Sequence, residues 1–173
     1  MIACMQNFFE RCRGAGSKRP AHLGAHAILL GGLGGFIAIG TLALLGRSLD
    51  VTLLLGSFGA SCVLVFGYPD APFAQPMNVI GGHVISTVIG LVALHWIGPQ
   101  PWALALAVGC AIATMMATRT VHPPAGSNPV IVFLGHSAWG FLLYPVVCGA
   151  LVLVFIGWLY NNAVRKTPYP QYW

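Results

Sequence analysis

From Ala71 to Thr118, and again from Thr120 to Val164, the chain has no Lys, Arg, Asp or Glu, so that between Asp70 and Arg165 the only permanently charged side chain is Arg119. Two more charge-free stretches, Pro20 to Gly46 and Val51 to Pro69, come before them. Soluble domains carry about a quarter charged residues; here the share is 6%, and 57% of residues are hydrophobic. The chain is therefore an integral membrane protein. A helix needs ~20 apolar residues to cross the hydrocarbon core, and His26–Gly46, Val79–Gly98 and Trp139–Tyr160 supply them. Val51–Gly67 and Trp102–Thr118 are shorter and richer in small residues. The expected fold is all-α, a polytopic helical membrane protein with about five hydrophobic segments, some short or re-entrant.

The cations flank these segments. Arg11, Arg13, Lys18 and Arg19 precede the first, Arg47 follows it, and Arg165 with Lys166 follows the last. This pattern does not describe a nucleic-acid surface, so the expected partner is the bilayer. By the positive-inside rule it puts the N-terminus in the cytoplasm, and an inner (cytoplasmic) membrane of a bacterium is the expected location. The first ~20 residues lack the apolar core of a cleavable signal. Ile2, Met5, Phe8 and Phe9 fall at helical spacing and predict a short surface helix over Met1–Arg13. The expected organisation is an interfacial segment over 1–20, one transmembrane domain over 21–164 and a tail over 165–173. Five crossings would leave Arg165 and Lys166 outside, against the charge rule. One segment is therefore expected to re-enter, or the stretch near 122–134 to dip in as a half-helix.

Small residues mark packing faces: Gly31 and Gly35, then Gly82, Ser86 and Gly90, then Ala105, Gly109, Ala113 and Ala117. Such rows let helices approach closely in lipid, and their abundance leads us to expect a homo-oligomer. Cys62, Cys110 and Cys148 sit in apolar runs as small core residues. "QPMNVIGGH" (75–83) and "NPVIVFLGH" (128–136) form a faint internal echo, each with Pro, five residues, then Gly-His.

Three polar islands interrupt the apolar pattern: "GSFGAS" (56–61), "YPDAPFAQPMN" (68–78) and "TRTVHPPAGSNP" (118–129). Proline removes a backbone donor, so Pro76, Pro123, Pro124 and Pro129 interrupt helices, and Gly56 and Gly59 are expected to break the first island. In lipid, broken backbone persists only when buried in protein or lining a wet cavity. A helix restarting after a break offers free N–H groups to an anion. Ser57, Ser61, Ser127 and Asn128 add donors, and Gly126 permits close approach. Arg119 reads either as attraction for an anion or as a stop at the end of a span, and His122 as a pathway ligand. His83 and His136 read as buried histidines satisfied by carbonyls, and Asn78 and Asn128 alternatively as helix caps. No Asp or Glu lies inside a hydrophobic segment, which favours facilitated diffusion over coupled pumping.

"LLLGSFGASCVLVFGYPDAPFAQPMNVIGGHVIS" followed by "TRTVHPPAGSNPVIVF" resembles the HPP family of integral membrane proteins. Several motifs in order carry the resemblance over residues ~26 to 160, as one membrane domain. Relatives from plastids and cyanobacteria are linked to nitrite transport, so the resemblance implies a nitrite permease or channel. It assigns pathway roles to Gly56, Ser57, Gly59, Ala60 and Ser61, to Ala74, Gln75, Pro76 and Asn78, and to Gly82, His122, Pro123, Pro124, Ala125 and Gly126. The family pattern commonly has arginine after "AQP", where this chain has Met77.

The leading expectation is thus a transport protein, not an enzyme, for a small monovalent anion, nitrite foremost, without cofactor or metal. The competing readings are a membrane-embedded metalloenzyme using His83, His122 and His136, for which no HExxH-like spacing appears, and a structural or assembly subunit.

Overall fold

In lipid every backbone N–H must find its partner within the protein, so apolar runs become helices and breaks must be covered. The computed structural model describes Cys12, Lys18, Arg19 and residues 21–173; the surface helix expected over Met1–Arg13 falls almost wholly outside the described residues. These hold helices and no strand. They are α1 (Ala25–Leu49), α2 (Gly56–Cys62), α3 (Pro76–Val92), α4 (Pro101–Ala117), α5 (Asn128–Leu134) and α6 (Cys148–Val164). π-helical turns extend α2 to Gly67 and α3 to Ile97, and another, Leu142–Val147, leads into α6. Short 3-10 turns lie at Pro72–Ala74 and Pro123–Ser127. Pro76 and Pro101 sit in the first turns of α3 and α4, where a missing N–H costs nothing and the fixed φ suits the helix.

Close glycine contacts set the direction of each pass. Gly31 and Gly35 of α1 face Gly67 and Cys62, so α2 runs back antiparallel to α1. Gly149 and Gly157 of α6 face Phe58 and Val65, so α6 runs parallel to α2. Gly82 of α3 faces Met115, Thr120 and His122, whereas Gly90 faces Pro129 and Val132. Hence residues 120–134 climb alongside α3 in the same direction, while α4 returns antiparallel beside it. Among the described residues the bundle thus holds six runs, Ala25–Leu49, 51–67, Pro76–Ile97, Pro101–Ala117, 118–134 and Leu142–Val164.

The five hydrophobic segments expected are all present among the described residues, three as candidate spans and two as shorter apolar helices. The polar stretch 118–134 lies beside α3 as a sixth run, made of extended backbone, a 3-10 turn and α5. A hydropathy count misses it because it is shielded by protein rather than made of apolar side chains. The strain in the topology goes with it. The start of α1, Arg119, Arg165 and Lys166 share one face, which we call the charged face, while Arg47 and Asp50 lie on the opposite one. Among the described residues, Ala25–Leu49, Pro76–Ile97 and Leu142–Val164 are the helices long and apolar enough to span alone.

The small-residue rows divide. Gly82 and Gly90 are seats: a Cβ at Gly82 would lie 2.7 Å from His122 Cβ, and one at Gly90 2.9 Å from Pro129 Cα. Ser86 between them is buried. On α4 the expected row is displaced, because Ala103, Ala107, Ala111 and Met115 face inward, while Ala105, Gly109, Ala113 and Ala117 point outward. Leu29, Phe36, Trp96 and Leu134 are also exposed, as a lipid-facing surface requires. Inside, one apolar cluster centres on Leu42, Phe58, Val65 and Leu153. A second joins Leu91, Ala103, Ala107 and Val132.

Candidate functional site

The two partial passes bring their polar residues together. Ser57 and Ser61 lie one turn apart on α2, His83 and Thr87 one turn apart on α3, and Asn128 opens α5. His122 is held extended, with φ −133° and ψ 99°, immediately before the first of the two prolines. All six side chains are buried, with Ser57 the most exposed at 4%. Gly82 makes the meeting possible, since any side chain there would strike His122.

Hydrogen-bond partners assign each donor. The Asn128 amide nitrogen lies 3.2 Å from the His83 carbonyl, which only accepts, so that end of the side chain is the NH2. It also reaches Thr87 Oγ1 at 2.9 Å and His83 Nδ1 at 3.0 Å. The amide oxygen accepts from the Ser57 hydroxyl at 2.9 Å. His83 Nδ1, facing a donor, must be the bare nitrogen, so the proton of the neutral ring is on Nε2 and is given to Ser61 Oγ at 3.0 Å. His122 is the opposite tautomer. Its Nδ1–H donates to the Phe73 carbonyl at 2.6 Å, and its bare Nε2 accepts from Ser61 Oγ at 2.8 Å. Ser61 thus bridges two imidazoles whose ring centres lie 5.0 Å apart, and Phe58 packs edge-on against His83. Leaving any one of these buried atoms unpaired would cost about 1–3 kcal/mol.

Other residues singled out by sequence lie elsewhere. Arg119 is exposed, and its left-handed φ of 59° turns the chain just after α4, so it does not share a helical face with His122. Asn78 neither caps a helix nor joins the centre; its amide holds the Arg119 and Val121 carbonyls at 3.3 and 3.0 Å. Gln75 ties the Pro69 and Ala71 carbonyls and accepts from the Gln171 backbone N–H at 2.8 Å. Ser127 is exposed and bonds locally to the Pro124 carbonyl, and Gly126 is half-buried. Pro76, Pro123 and Pro124 do stand at helix starts. Gly56 instead opens α2 and Gly59 lies inside it without interrupting it, a correction to the expected break. The hydrogen bonds that a glycine break would have orphaned are simply made. Met77 is exposed on the first turn of α3.

Two participants were not singled out as central. His83 and Thr87 fall, with Ser86, at i, i+4 and i+3 of an otherwise apolar helix. That polar stripe was the available signal. His136 lies past the end of α5, exposed, and with a φ of 45°, so the three histidines of the metalloenzyme reading do not converge. Among the described residues no group of three His, Cys, Asp or Glu is placed to hold a metal ion.

The charged face has its own seam. Beyond Val164 the chain folds back over the 68–78 loop. Tyr169 is buried and donates to the Ala74 carbonyl at 2.8 Å, and burial pushes its phenol pKa up, which keeps it a neutral donor. The Tyr172 hydroxyl reaches Asn78 Oδ1 at 3.1 Å, and Arg165 pairs with Asp70. A cavity of about 590 Å³ opens beside this pair, lined by Leu23, His26, Phe66, Tyr160 and Lys166 among others, with no residue of the central cluster in its wall.

Known proteins bear on this arrangement. The family model described as HPP, transmembrane region, matches residues 20–170. Two curated relatives from Dictyostelium discoideum, both named only as transmembrane proteins, are 39% identical over 178 residues and 37% identical over 179 residues. The alignments cover 96% of this chain in both cases but 57% and 63% of the relatives, so the chain spans about six tenths of their length. No solved structure matches.

Proposed function

The chain belongs to the HPP transmembrane family, and on that premise we propose that it is a permease for a small monovalent anion, nitrite foremost. The observation that carries the reading is the sealed central knot, in which two partial passes, Val51–Gly67 and 118–134, meet through Ser57–Asn128 and Ser61–His122 contacts of 2.9 and 2.8 Å. A helical bundle has no structural need for six interlocked polar side chains in lipid. Their cost is offset only while all remain paired. A solute that displaces Ser61 or Asn128 from its partners would find hydroxyl, amide and imidazole donors already aimed at it.

The sign of the solute follows from what is missing at the centre. Asp50 and Asp70 both lie in loops at the faces, and the knot holds no carboxylate, so a cation has no counter-charge there, whereas N–H and O–H donors suit an anion. A knot whose six side chains are all buried favours a carrier that opens to each side in turn over a standing channel. By the charge rule the face bearing Arg119, Arg165 and Lys166 is read as cytoplasmic, in an inner membrane. The outward stripe Ala105, Gly109, Ala113 and Ala117 favours packing of a second copy, which cross-linking through cysteines placed on that stripe would detect.

The test is flux. Purified protein in liposomes is expected to accelerate nitrite entry over protein-free vesicles, with nitrate, formate and chloride measured beside it to rank selectivity. Entry no faster than in empty vesicles for all four would remove the transport reading and leave a structural subunit.

A further inference from the structure

We infer that the centre is also a proton site, with His122 Nε2 as the acceptor, and that the anion crosses together with this proton. The proton site stands on geometry alone; the coupling rests on the anion reading above.

The two histidines are not equivalent. His83 cannot take a second proton in place, because its Nδ1 faces the NH2 of Asn128 at 3.0 Å and an added N–H would point at a donor. Asn128 cannot turn over to relieve this, because its oxygen is held by Ser57 and its nitrogen by the His83 carbonyl and Thr87. His122 faces no such obstacle. Its Nδ1–H remains on Phe73, and its Nε2 looks only at the Ser61 hydroxyl. That hydroxyl has a second acceptor ready, the Ser57 carbonyl at 3.1 Å. When a proton arrives on Nε2, the Ser61 O–H turns to Ser57, and Ser61 Oγ accepts from both imidazoles. One N–H bond forms on His122 as one O–H bond of a hydronium ion from the water on the entry side breaks, and the reverse exchange with water on the other side releases the proton; while it is held, the centre carries one positive charge.

Groups facing His122 come from every neighbouring element. They are Ser57 and Ser61 from α2, Gly82 and His83 from α3, Met115 from α4, Asn128 from α5 through His83, and the Phe73 carbonyl from the loop. None is permanently charged, and His83 is the sole titratable one. An added proton therefore has no fixed counter-ion, and a monovalent anion has no fixed cation. In a low-dielectric setting each is costly alone and they attract strongly as a pair. The structure thereby provides the coupling group whose absence among carboxylates pointed to plain diffusion.

Two measurements test this with the full-length protein. In bilayers, nitrogen-15 histidine NMR from about pH 8 to about pH 4 should show the His122 ring, told apart from the five other histidines, pass from the Nδ1–H tautomer to imidazolium. That signal should be missing in His122→Gln, while His83 stays Nε2–H. Titration of His83 first, or of neither ring, overturns the proton site. In liposomes, the initial rate of nitrite entry, corrected for protein-free vesicles, should rise several-fold with an inward proton gradient of about one pH unit. It should not respond to an inside-positive potential. Entry driven by the potential and indifferent to the gradient overturns the coupling and leaves the permease reading standing. If protein-free and protein-containing vesicles behave alike while His122 titrates, the permease reading fails and the proton site survives.

Discussion

At the centre of this protein Ser57, Ser61, His83, Thr87, His122 and Asn128 hold one another without a permanently charged group, and each is at least 96% buried. At the charged face Asp70 and Arg165 pair with side chains 60% and 19% exposed, and Asn78, Gln75, Tyr169, Gln171 and Tyr172 stitch the loop to the end of the chain. Both regions are polar, yet water decides their energetics differently. A bond lost at the face is replaced by one to solvent, whereas a bond lost at the centre leaves an atom with no partner. The centre should therefore be brittle and function-bearing, and the face forgiving.

Five substitutions probe that contrast. The largest effect is expected from Asn128→Ala, which frees the Ser57 hydroxyl and His83 Nδ1 together and should cost roughly 2–5 kcal/mol. Thermal unfolding in a mild detergent would show it, and a near wild-type transition would mean the centre is not brittle. Next comes Gly82→Ala, whose Cβ would sit 2.7 Å from His122 Cβ and 3.0 Å from the Thr120 carbonyl. Pushing residues 120–122 away should cost about 1–3 kcal/mol, and flux should fall with it.

The third test separates function from stability. His122→Ala should lower nitrite entry about tenfold, equivalent to about 1.4 kcal/mol of barrier, at every concentration. Arg119→Gln, at an exposed turn, should change entry by less than about threefold, only at low anion concentration, and the effect should vanish in high salt. Equal losses from the two would erase the distinction between centre and face. The smallest effect is expected from Asp70→Asn. It removes a largely exposed ion pair of the kind worth about 0–1 kcal/mol, so a shift in melting temperature comparable to that of Asn128→Ala would show that the seam is structural.

The echo between 75–83 and 128–136 shows how far local pattern reaches. Pro76 and Pro129 both stand in the first turn of a helix, as the motif implies. From there the two diverge: α3 runs on to Val92 and buries His83 inside the bundle, whereas α5 stops at Leu134 and leaves His136 exposed. The motif encodes a helix start, and the length of helix that follows depends on neighbours. Ser57, Ser61, His122 and Asn128 were legible as pathway candidates because polar side chains beside broken backbone in lipid demand partners. His83 was legible only as a buried histidine, since nothing in its own segment reveals what it faces.

The sequence by itself determined the solvent, the helical class and most helix starts. These are local sums over charge-free runs, or single-residue effects of proline on its own backbone. Which polar residues meet, and that 118–134 packs into the bundle as a sixth run, was decided by the tertiary structure. Ser61 finds His83 across 22 residues and His122 across 61, and Ser57 finds Asn128 across 71. A hydropathy window scores each of these side chains as unfit for lipid. Once paired they present no free donor or acceptor to lipid, and pairing across that distance is a property of the packed bundle alone.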